Sequence, residues 1–304
     1  MPTLRGQNLR IYANLNNKWS VIAQSANCTI NLTAATDDRS HKDIVGMAQM
    51  PVVTTKSWTA QVESMDVTDV GALLELMQNG TPLALRWDES KPVNNQDIIF
   101  DAAAWHRNGQ ALLTDATFNW NNQEVSTKNI QFTGTGAISQ GDAPTIDVHE
   151  ASMAFTQGQK VRLFVSTHAA SDPDHPIAAA QQLSLHVSAQ VENASTKDTA
   201  MDQWIINEVV GISYDITSQA LVRSGETITS TVTAFDLHQT ESAIAAGSPI
   251  QWRICNVSGA NNRTITTSIV GGHAVITQLE VNAPNRQVVT YRTTMQGYGP
   301  YETV

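Results

Sequence analysis

Four side chains with metal-binding chemistry stand close together in the second half of the chain. His168 and His175 bracket Asp172 and Asp174. Imidazole nitrogens and carboxylate oxygens that lie close together could ligate a metal ion. The stretch between them is polar and holds Pro173, a combination that is also typical of a solvated turn. We favour the turn, and we predict no metal site.

Two further groups could support catalysis or binding. The pairs Asp37-Asp38 and Asp172/Asp174 could act as catalytic carboxylates, but each lies in a polar loop without a second partner in view. Tryptophans could form a sugar-stacking platform, yet Trp58 and Trp252 stand in apolar alternation, which favours packing in a core or a subunit interface. The full set is Trp19, Trp58, Trp87, Trp105, Trp120, Trp204 and Trp252.

The familiar catalytic and cofactor motifs are absent from the sequence. It contains no glycine-rich phosphate loop, paired CxxC, HExxH or nucleophile elbow. We therefore predict no enzymatic activity and no cofactor.

Composition limits the partners and the compartment. The 304 residues carry a net charge of −10 without a basic run, which argues against gripping nucleic acid phosphates. Cys28 and Cys255 are predicted to be free thiols, as expected of a reducing compartment. Neither a signal peptide nor an apolar run of roughly 18 residues is present, so we expect a soluble chain without a membrane anchor.

An internal repeat organises the sequence. GQNLRIYA at residues 6–13 returns as GQKVRLFV at residues 158–165, and further matches follow in the same order. They are Ile22-Ala23 with Ile177-Ala178, Lys42-Asp43 with Lys197-Asp198, Ser57-Trp58 with Ser213-Tyr214, Gly80 to Leu83 with Gly247 to Ile250, Asn119 with Asn282, Asn122 with Asn285, and Gly134-Thr135-Gly136 with Gly297-Tyr298-Gly299. The order predicts two copies of one domain, residues 1–136 and 158–304, joined by a connector at 137–157.

Each copy is predicted to consist mainly of strands. Apolar residues alternate with polar ones in two early stretches of each copy, which indicates strands with one buried face. The predicted inward residues are Leu9, Ile11, Ala13 and Leu15, then Cys28, Ile30, Leu32 and Ala34; in the second copy they are Val161, Leu163 and Val165, then Leu183, Leu185, Val187 and Ala189. Tyr12 is predicted to face outward. A short strand at Ile146 to Val148 of the connector is a further candidate.

One helix is predicted in each copy. Val67, Val70, Leu73, Leu74 and Met77 share a helical face between Asp66, a candidate N-cap, and Gly80, a candidate C-cap. The second helix, about Leu237 to Ala246, has a weaker apolar stripe but lies between Asp236 and Gly247. The fold class is therefore α+β, mainly β: two tandem sandwich or barrel domains, each with one packed α-helix.

At this level the chain resembles a known family, the major tail tube proteins of long-tailed bacteriophages. The resemblance rests on GQNLRIYAN, IAQSANCTINLTA, SHKD, KSWTAQVESM, LMQNGTPLALRW and QFTGTG in the first half, and on VRLFVS, IAAAQQLSLHVSA, STKD, GISYDITS, AAGSPIQWRI and MQGYG in the second. It implies a structural virion protein, in which the sheets of neighbouring units join edge to edge into an inner barrel and rings stack into a tube for DNA.

The resemblance and the repeat together imply an assembly. If six units complete a ring and one chain supplies two, three chains form a homotrimeric, pseudo-hexameric ring. The implied partners are further copies of the chain and the tape-measure, tail-terminator and distal-tail proteins. DNA would transit an acidic lumen without specific binding during ejection, and the virion tail would assemble in the cytoplasm of a bacterial host.

Two equivalent loops, Thr36 to Thr55 and Val191 to Val210, are candidate ring-stacking sites. The resemblance implies that a loop at this place helps one ring to stack on the next, and exposed apolar residues in such a loop favour a contact. A solvated hairpin tip is the alternative. The candidates are Ser40, Lys42, Asp43, Met47 and Met50, then Thr196, Lys197, Asp198, Trp204 and Ile205, with Pro51 and Ile206 beside them.

Two other functions stay open at this level. The inner tube of a contractile tail or injection machine would use the same fold. A tandem carbohydrate or cell-surface binding module is the alternative from another class of protein, and it would need an exposed aromatic platform.

Overall fold

The computed structural model describes residues 9–15, 18–22, 25–40, 49–65, 70–93, 97–100, 106–140, 156–166, 175–196, 203–222, 234–259 and 264–303. The strands of the first half are β1 (Leu9–Leu15), β2 (Lys18–Val21), β3 (Ser25–Asp38), β4 (Pro51–Ser64), β5 (Leu83–Val93), β6 (Asp97–Phe100), β7 (His106–Asn121) and β8 (Thr127–Gly134), with helix α1 (Val70–Gln78) between β4 and β5. Those of the second half are β9 (Val161–Val165), β10 (His175–Pro176), β11 (Ala180–Asn193), β12 (Asn207–Leu221), β13 (Ile250–Ser258), β14 (Thr264–Asn282) and β15 (Thr290–Thr303), with helix α2 (Leu237–Ala246) between β12 and β13.

These strands pair antiparallel, so the predicted class, mainly β with two helices, is confirmed. Eight of them run side by side in the order β3-β4-β8-β7-β11-β12-β15-β14. In the first half, β5 continues from the early part of β7 and is followed by β1 and β2. In the second half, β13 and β9 extend from β14 in the same manner.

Corresponding strands of the two halves pair in the same register. Leu32 of β3 lies opposite Trp58, and Val187 of β11 lies opposite Tyr214. At the other end of each group, Asn119 lies opposite Thr127 and Asn282 opposite Thr290. A register shift interrupts β7 just after Leu113 and β14 just after Ile276. Paired residues of β3, β4, β7 and β8 therefore have defined counterparts in β11, β12, β14 and β15.

The two halves meet through their sheets. β11 of the second half pairs with the late part of β7, from Gln182 opposite Asn121 to Ser188 opposite Asp115. Two independent sandwiches would each leave an edge strand unpaired at this place. Here β7 and β11 pair with each other within one chain. The halves consequently share one continuous sheet.

Both helices form where the sequence predicts them. α1 carries buried Val70, Leu73, Leu74 and Met77, and Gly80 beyond its end is left-handed at φ 59°. Asp66 and Val67 lie outside the described residues. α2 begins after Asp236, whose side chain accepts from the Gln239 N–H while the Gln239 side chain accepts from the Asp236 N–H. Gly247, left-handed at φ 62°, ends α2.

The core lies on the apolar side of the sheet, beneath the helices. Trp58, Trp87, Trp120 and Trp252 are buried there, as the apolar alternation predicts for Trp58 and Trp252. Trp105 lies outside the described residues. One predicted orientation is wrong: Tyr12 is fully buried, because the first strand is enclosed on both of its faces.

A second prediction fails at β3. Its apolar residues Cys28, Ile30, Leu32 and Ala34 were expected to face a core, but Leu32 is 63% exposed and Ala34 is exposed as well. The counterparts Leu183, Leu185 and Val187 in β11 are buried. The patterns are alike, and the difference arises because β11 pairs on both sides while β3 pairs only with β4.

Candidate assembly edges and loop sites

The join between the halves is apolar and buried on one face and polar on the other. On the apolar face, Leu183, Leu185 and Val187 of β11 lie beside Ala116, Phe118 and Trp120 of β7, and all six are buried. On the polar face, His186 Nε2 lies 2.8 Å from Asp115 Oδ2. A pairing of this length with a buried apolar side has the character of an interface between domains.

The strands β3 and β14, at the two ends of the eight-strand row, correspond to β11 and β7 at the join. Within the described chain their outer edges have no neighbouring strand there. At one end β3 presents Cys28, Ile30 and Leu32, the counterparts of Leu183, Leu185 and Val187. At the other end β14 presents Leu279 and Val281, the counterparts of Ala116 and Phe118. Val281 is 47% exposed, whereas Phe118 is fully buried. Burial raises the pKa of the Cys28 thiol to about 11.

The loop after β3 is closed at its base by Asp38. The Asp38 carboxylate accepts the Ser40 N–H at 3.0 Å and the Met50 N–H at 3.2 Å, as well as the Ser40 hydroxyl. These hydrogen bonds, that of the Ser40 hydroxyl first, hold the pKa of Asp38 below its usual value. Ser40 and Met50 are therefore held together at the base of this loop, and Asp38 supports the turn.

The loop after β11 has the same base. The Ser195 N–H donates to Asn193 Oδ1 at 2.9 Å, and the Ile206 N–H donates to the Ser195 hydroxyl at 2.9 Å. These bonds repeat those made by Ser40 on Asp38 and by Met50 on Ser40. Thr196 follows as an exposed residue.

Beyond that base, the second loop lies on the first half of the chain. The Lys56 N–H donates to Gln203 O at 2.7 Å, and the Ile205 N–H donates to Lys56 O at 3.0 Å. The Gly136 N–H donates to Ile205 O at 2.8 Å. The Lys56 ammonium stands 5.9 Å from the centre of the Trp204 ring. Trp204 and Ile205 thus contact the neighbouring half within the chain.

The sequence-predicted loop residues are consequently divided. Ser40, Met50 and Thr196 lie at the bases of the two hairpins, and Trp204 and Ile205 lie against the first half. Lys42, Asp43, Met47, Lys197 and Asp198 lie outside the described residues.

The polar face of the eight-strand row is acidic on balance. Its ionisable side chains include Glu63, Asp115, Asp215 and Glu280, against His186 and Arg292. Asp215 lies opposite His186 in the register of β11 and β12. Hydroxyl and amide side chains fill the positions between them.

The described residues give no support to the metal interpretation. None of their His, Cys, Asp and Glu side chains form a group of three or more that could hold an ion. His175 opens the short strand β10, while His168, Asp172 and Asp174 lie outside these residues. Cys28 and Cys255 are both free thiols. Neither α1 nor α2 has the length and apolar character needed to cross a bilayer.

Sequence comparison finds a family match over the second half of the chain. Residues 156–303 match the family model described as phage tail tube protein. A search of curated proteins finds no match to the chain.

Solved structures resemble about half of this chain. A chain in the tail of an empty gene transfer agent particle, reconstructed with C6 symmetry, is 13% identical; the likeness covers 49% of this chain and 98% of that chain, with a TM-score of 0.37. A chain of the native gene transfer agent virion is 13% identical over 49% of this chain and 98% of that one, with a TM-score of 0.36. A chain of the anti-feeding prophage baseplate is 11% identical over 47% and 91%, with a TM-score of 0.31.

The sequence does not predict several exposed residues that lie at the open edges. Leu279, Val281 and Tyr298 are exposed or half-exposed without any motif of their own. The only signal for Tyr298 is its place in Gly297-Tyr298-Gly299, where the first half has Gly134-Thr135-Gly136. The replacement of Thr135 by Tyr298 can be interpreted only from the structure, in which Thr135 contacts the second loop.

Proposed function

We propose that the chain is a structural subunit of a phage tail tube, in which three chains close a ring of six similar units. In this proposal residues 1–136 and 158–304 are two copies of the tube unit, joined by the connector at 137–157. The chain acts as a virion component without catalysis, and it assembles in the cytoplasm of the bacterial host.

The pairing of β11 with β7 carries the proposal. This junction already joins two units edge to edge inside one chain. The strands left at the two ends of the row, β3 and β14, are the counterparts of β11 and β7. A second copy of the chain can therefore place its β3 on β14 as β11 lies on β7, and repetition of this contact closes the eight-strand rows into a ring.

The internal junction also supplies the register of this contact between chains. His186 opposite Thr117 corresponds to Asn31 opposite Glu280 of the next chain. Val187 opposite Ala116 corresponds to Leu32 opposite Leu279. In that register the exposed apolar atoms of Leu32 and Val281 would be buried, which stabilises the contact by about 25 cal/mol per Å² of apolar surface.

Disulfide trapping in assembled tubes tests both the register and the number of chains. The variant combines Asn31→Cys and Glu280→Cys with Cys28→Ser, which removes the native thiol at this edge. Oxidation of tubes should give a covalent ladder that ends at three chains on a non-reducing gel. Leu32→Cys with Glu280→Cys is the matched control and should stay uncrosslinked, because adjacent residues of a strand point to opposite faces.

Two results would contradict the ring. A ladder that ends at six chains means that one chain supplies one unit, with the other half outside the ring. Tubes that form normally but give no Asn31–Glu280 crosslink mean that β3 and β14 do not meet.

The proposal also assigns the faces of the sheet. The acidic polar face would line the lumen, and the helices would lie outside. Because Lys and Arg contacts hold phosphates, a lumen with an excess of Glu63, Asp115, Asp215 and Glu280 would let DNA slide without binding. The loop segments beyond Ser40 and Thr196 would contact the next ring, and the ends of the tube would meet tape-measure, tail-terminator and distal-tail proteins.

A further inference from the structure

A lateral clasp holds the two halves of the chain together, beside the sheet junction. It consists of Gln203 to Asn207, which extend from the base of the second loop onto β4 and the residues after β8. The Asn207 N–H donates to the Thr135 hydroxyl at 3.1 Å, and the Asn207 side-chain amide donates to Gly134 O at 2.8 Å. Together with Ile205 on Gly136, these bonds fix the loop to the side of the neighbouring unit.

The first loop has the same base but leaves its equivalent segment uncovered. The Arg39 N–H donates to Met50 O at 3.1 Å, as the Ala194 N–H donates to Ile206 O at 2.8 Å. These bonds make Gln49, Met50 and Pro51 the counterparts of Ile205, Ile206 and Asn207. In the described chain all three are exposed, and Met50 is 47% exposed.

The surface equivalent to Thr135 and Gly136 is also open. It consists of Tyr298 and Gly299 after the Gly297 counterpart of Gly134, and Gly299 shares the left-handed backbone of Gly136, with φ 76° and 83°. Tyr298 is 60% exposed, an unusual state for a ring of its size.

We infer that Gln49, Met50 and Pro51 clasp the second half of a neighbouring chain at Tyr298 and Gly299, in the same ring. This inference rests on the proposed ring. The occupant is a second copy of the chain, since the equivalent loop base and the equivalent left-handed glycine match an interface already formed inside the chain.

A paired change of residue type distinguishes the two clasps. Inside the chain, Asn207 gives an N–H to the Thr135 hydroxyl. Between chains, Pro51 replaces Asn207 and has no N–H, while Tyr298 replaces Thr135 and offers an aromatic ring. A hydrogen-bonded contact is thereby exchanged for apolar packing of a pyrrolidine ring on a phenol ring.

The clasp gives the loop residues two separate tasks. Met50, Trp204 and Ile205, at the bases of the loops, hold neighbouring units within a ring. The stacking of ring on ring is left to the hairpin tips. The base of the loop then contacts the neighbouring unit of the same ring, a role that differs from the predicted stacking of one ring on the next.

Disulfide trapping separates contact within a ring from contact between rings. Pro51→Cys with Tyr298→Cys, in the Cys28→Ser background, should crosslink in assembled tubes and give a ladder that ends at three chains. A ladder that continues beyond three chains means that the loop reaches the next ring, and it overturns the clasp. Pro51→Cys with Thr135→Cys is the control and should not crosslink, because Asn207 already occupies Thr135.

The two proposals fail in different ways. If Asn31–Glu280 crosslinks and Pro51–Tyr298 does not, the ring stands and the clasp is wrong. If neither pair crosslinks in tubes, the ring itself is wrong.

Substitution of Tyr298 gives a second measurement that needs no crosslink. Loss of the ring in Tyr298→Ala should raise the concentration needed for assembly about tenfold, which corresponds to one lost aromatic contact per junction. Tyr298→Phe keeps the ring and should assemble as the parent does. Equal assembly of Tyr298→Ala and the parent would overturn the clasp.

Discussion

At the scale of residues, the clearest feature is an aromatic ring packed on a glycine at the equivalent place of each half, with a different ring in each. Trp58 packs over Gly134 so closely that a Cβ on this glycine would overlap the indole. Tyr214 covers Gly297 in the same way. The sequence offers both pairs, but only as Ser57-Trp58 with Ser213-Tyr214 and as a repeated glycine triplet. Their contact could not be predicted, because it joins residues on different strands.

Asp38 gives a prediction at this scale. Its lowered pKa means that the ionised carboxylate stabilises the hairpin base above the unfolded pKa, and that this contribution is lost as the pH falls through the folded pKa. We expect the Met50 amide to be less protected in Asp38→Ala than in the parent at neutral pH, and the parent to lose this protection, relative to the intrinsic exchange rate, once the medium is acidified below the folded pKa.

Asp38→Asn is the matched control for that experiment. Asn193 already fills the equivalent place and accepts the equivalent N–H bond, so this variant should keep slow exchange of the Met50 amide without an acid-dependent step. Protection of Met50 that is the same in Asp38→Ala and the parent, measured by NMR, would show that the carboxylate does not hold the loop.

At the scale of elements, the sequence predicts what a segment does locally and not what covers it. The bounds of α2 follow from Asp236 and Gly247, and they are confirmed because caps are local chemistry. The apolar alternation of β3 and β11 is equally clear in both, yet only β11 is buried. Burial of a strand depends on which strand lies beside it, and that information is absent from the segment itself.

The same reasoning explains the two helices. α1 lies between the halves, where the Tyr301 hydroxyl of the second half donates to Leu74 O at 2.6 Å. α2 has no such second neighbour among the described residues, and only its Thr240 is buried. The strong apolar stripe of the first helix and the weak one of the second therefore match the number of surfaces that each helix covers in the isolated chain.

Tyr301→Phe tests the contact of α1 with the second half. Loss of a buried hydrogen bond should lower the free energy of unfolding by about 1 kcal/mol, as measured by denaturant titration. Tyr298→Phe, which removes the hydroxyl of an exposed ring, should leave the unfolding of the isolated chain unchanged. An effect of equal size in both variants would mean that the Tyr301 bond does not stabilise the junction of the halves.

At the scale of the whole molecule, charge is arranged by face. The acids of the polar face stand on the side opposite to the helices, where the proposed lumen lies. Net charge alone could not predict this, since −10 spread over the chain is compatible with any arrangement. Only the register of the strands brings Asp115, Asp215 and Glu280 to one surface.

Charge reversal on that face provides the corresponding prediction. Asp215→Lys places one cation per chain in the proposed lumen and should slow the release of DNA from particles, because cations hold phosphates. Glu75→Lys, on the exposed side of α1, makes the same change of charge outside the lumen and should not alter release. The release of DNA is measured by the entry of a dye into the particles. Equal release rates in the two variants would count against an acidic DNA path.

The β7–β11 junction also has a consequence for the mechanics of the proposed tube. Because its two strands belong to one chain, their effective concentration is fixed by the connection and does not fall on dilution. The junctions between chains lack this protection. A ring under strain or in denaturant should therefore split first along every second junction, so that the wall of the tube contains alternating permanent and breakable lines.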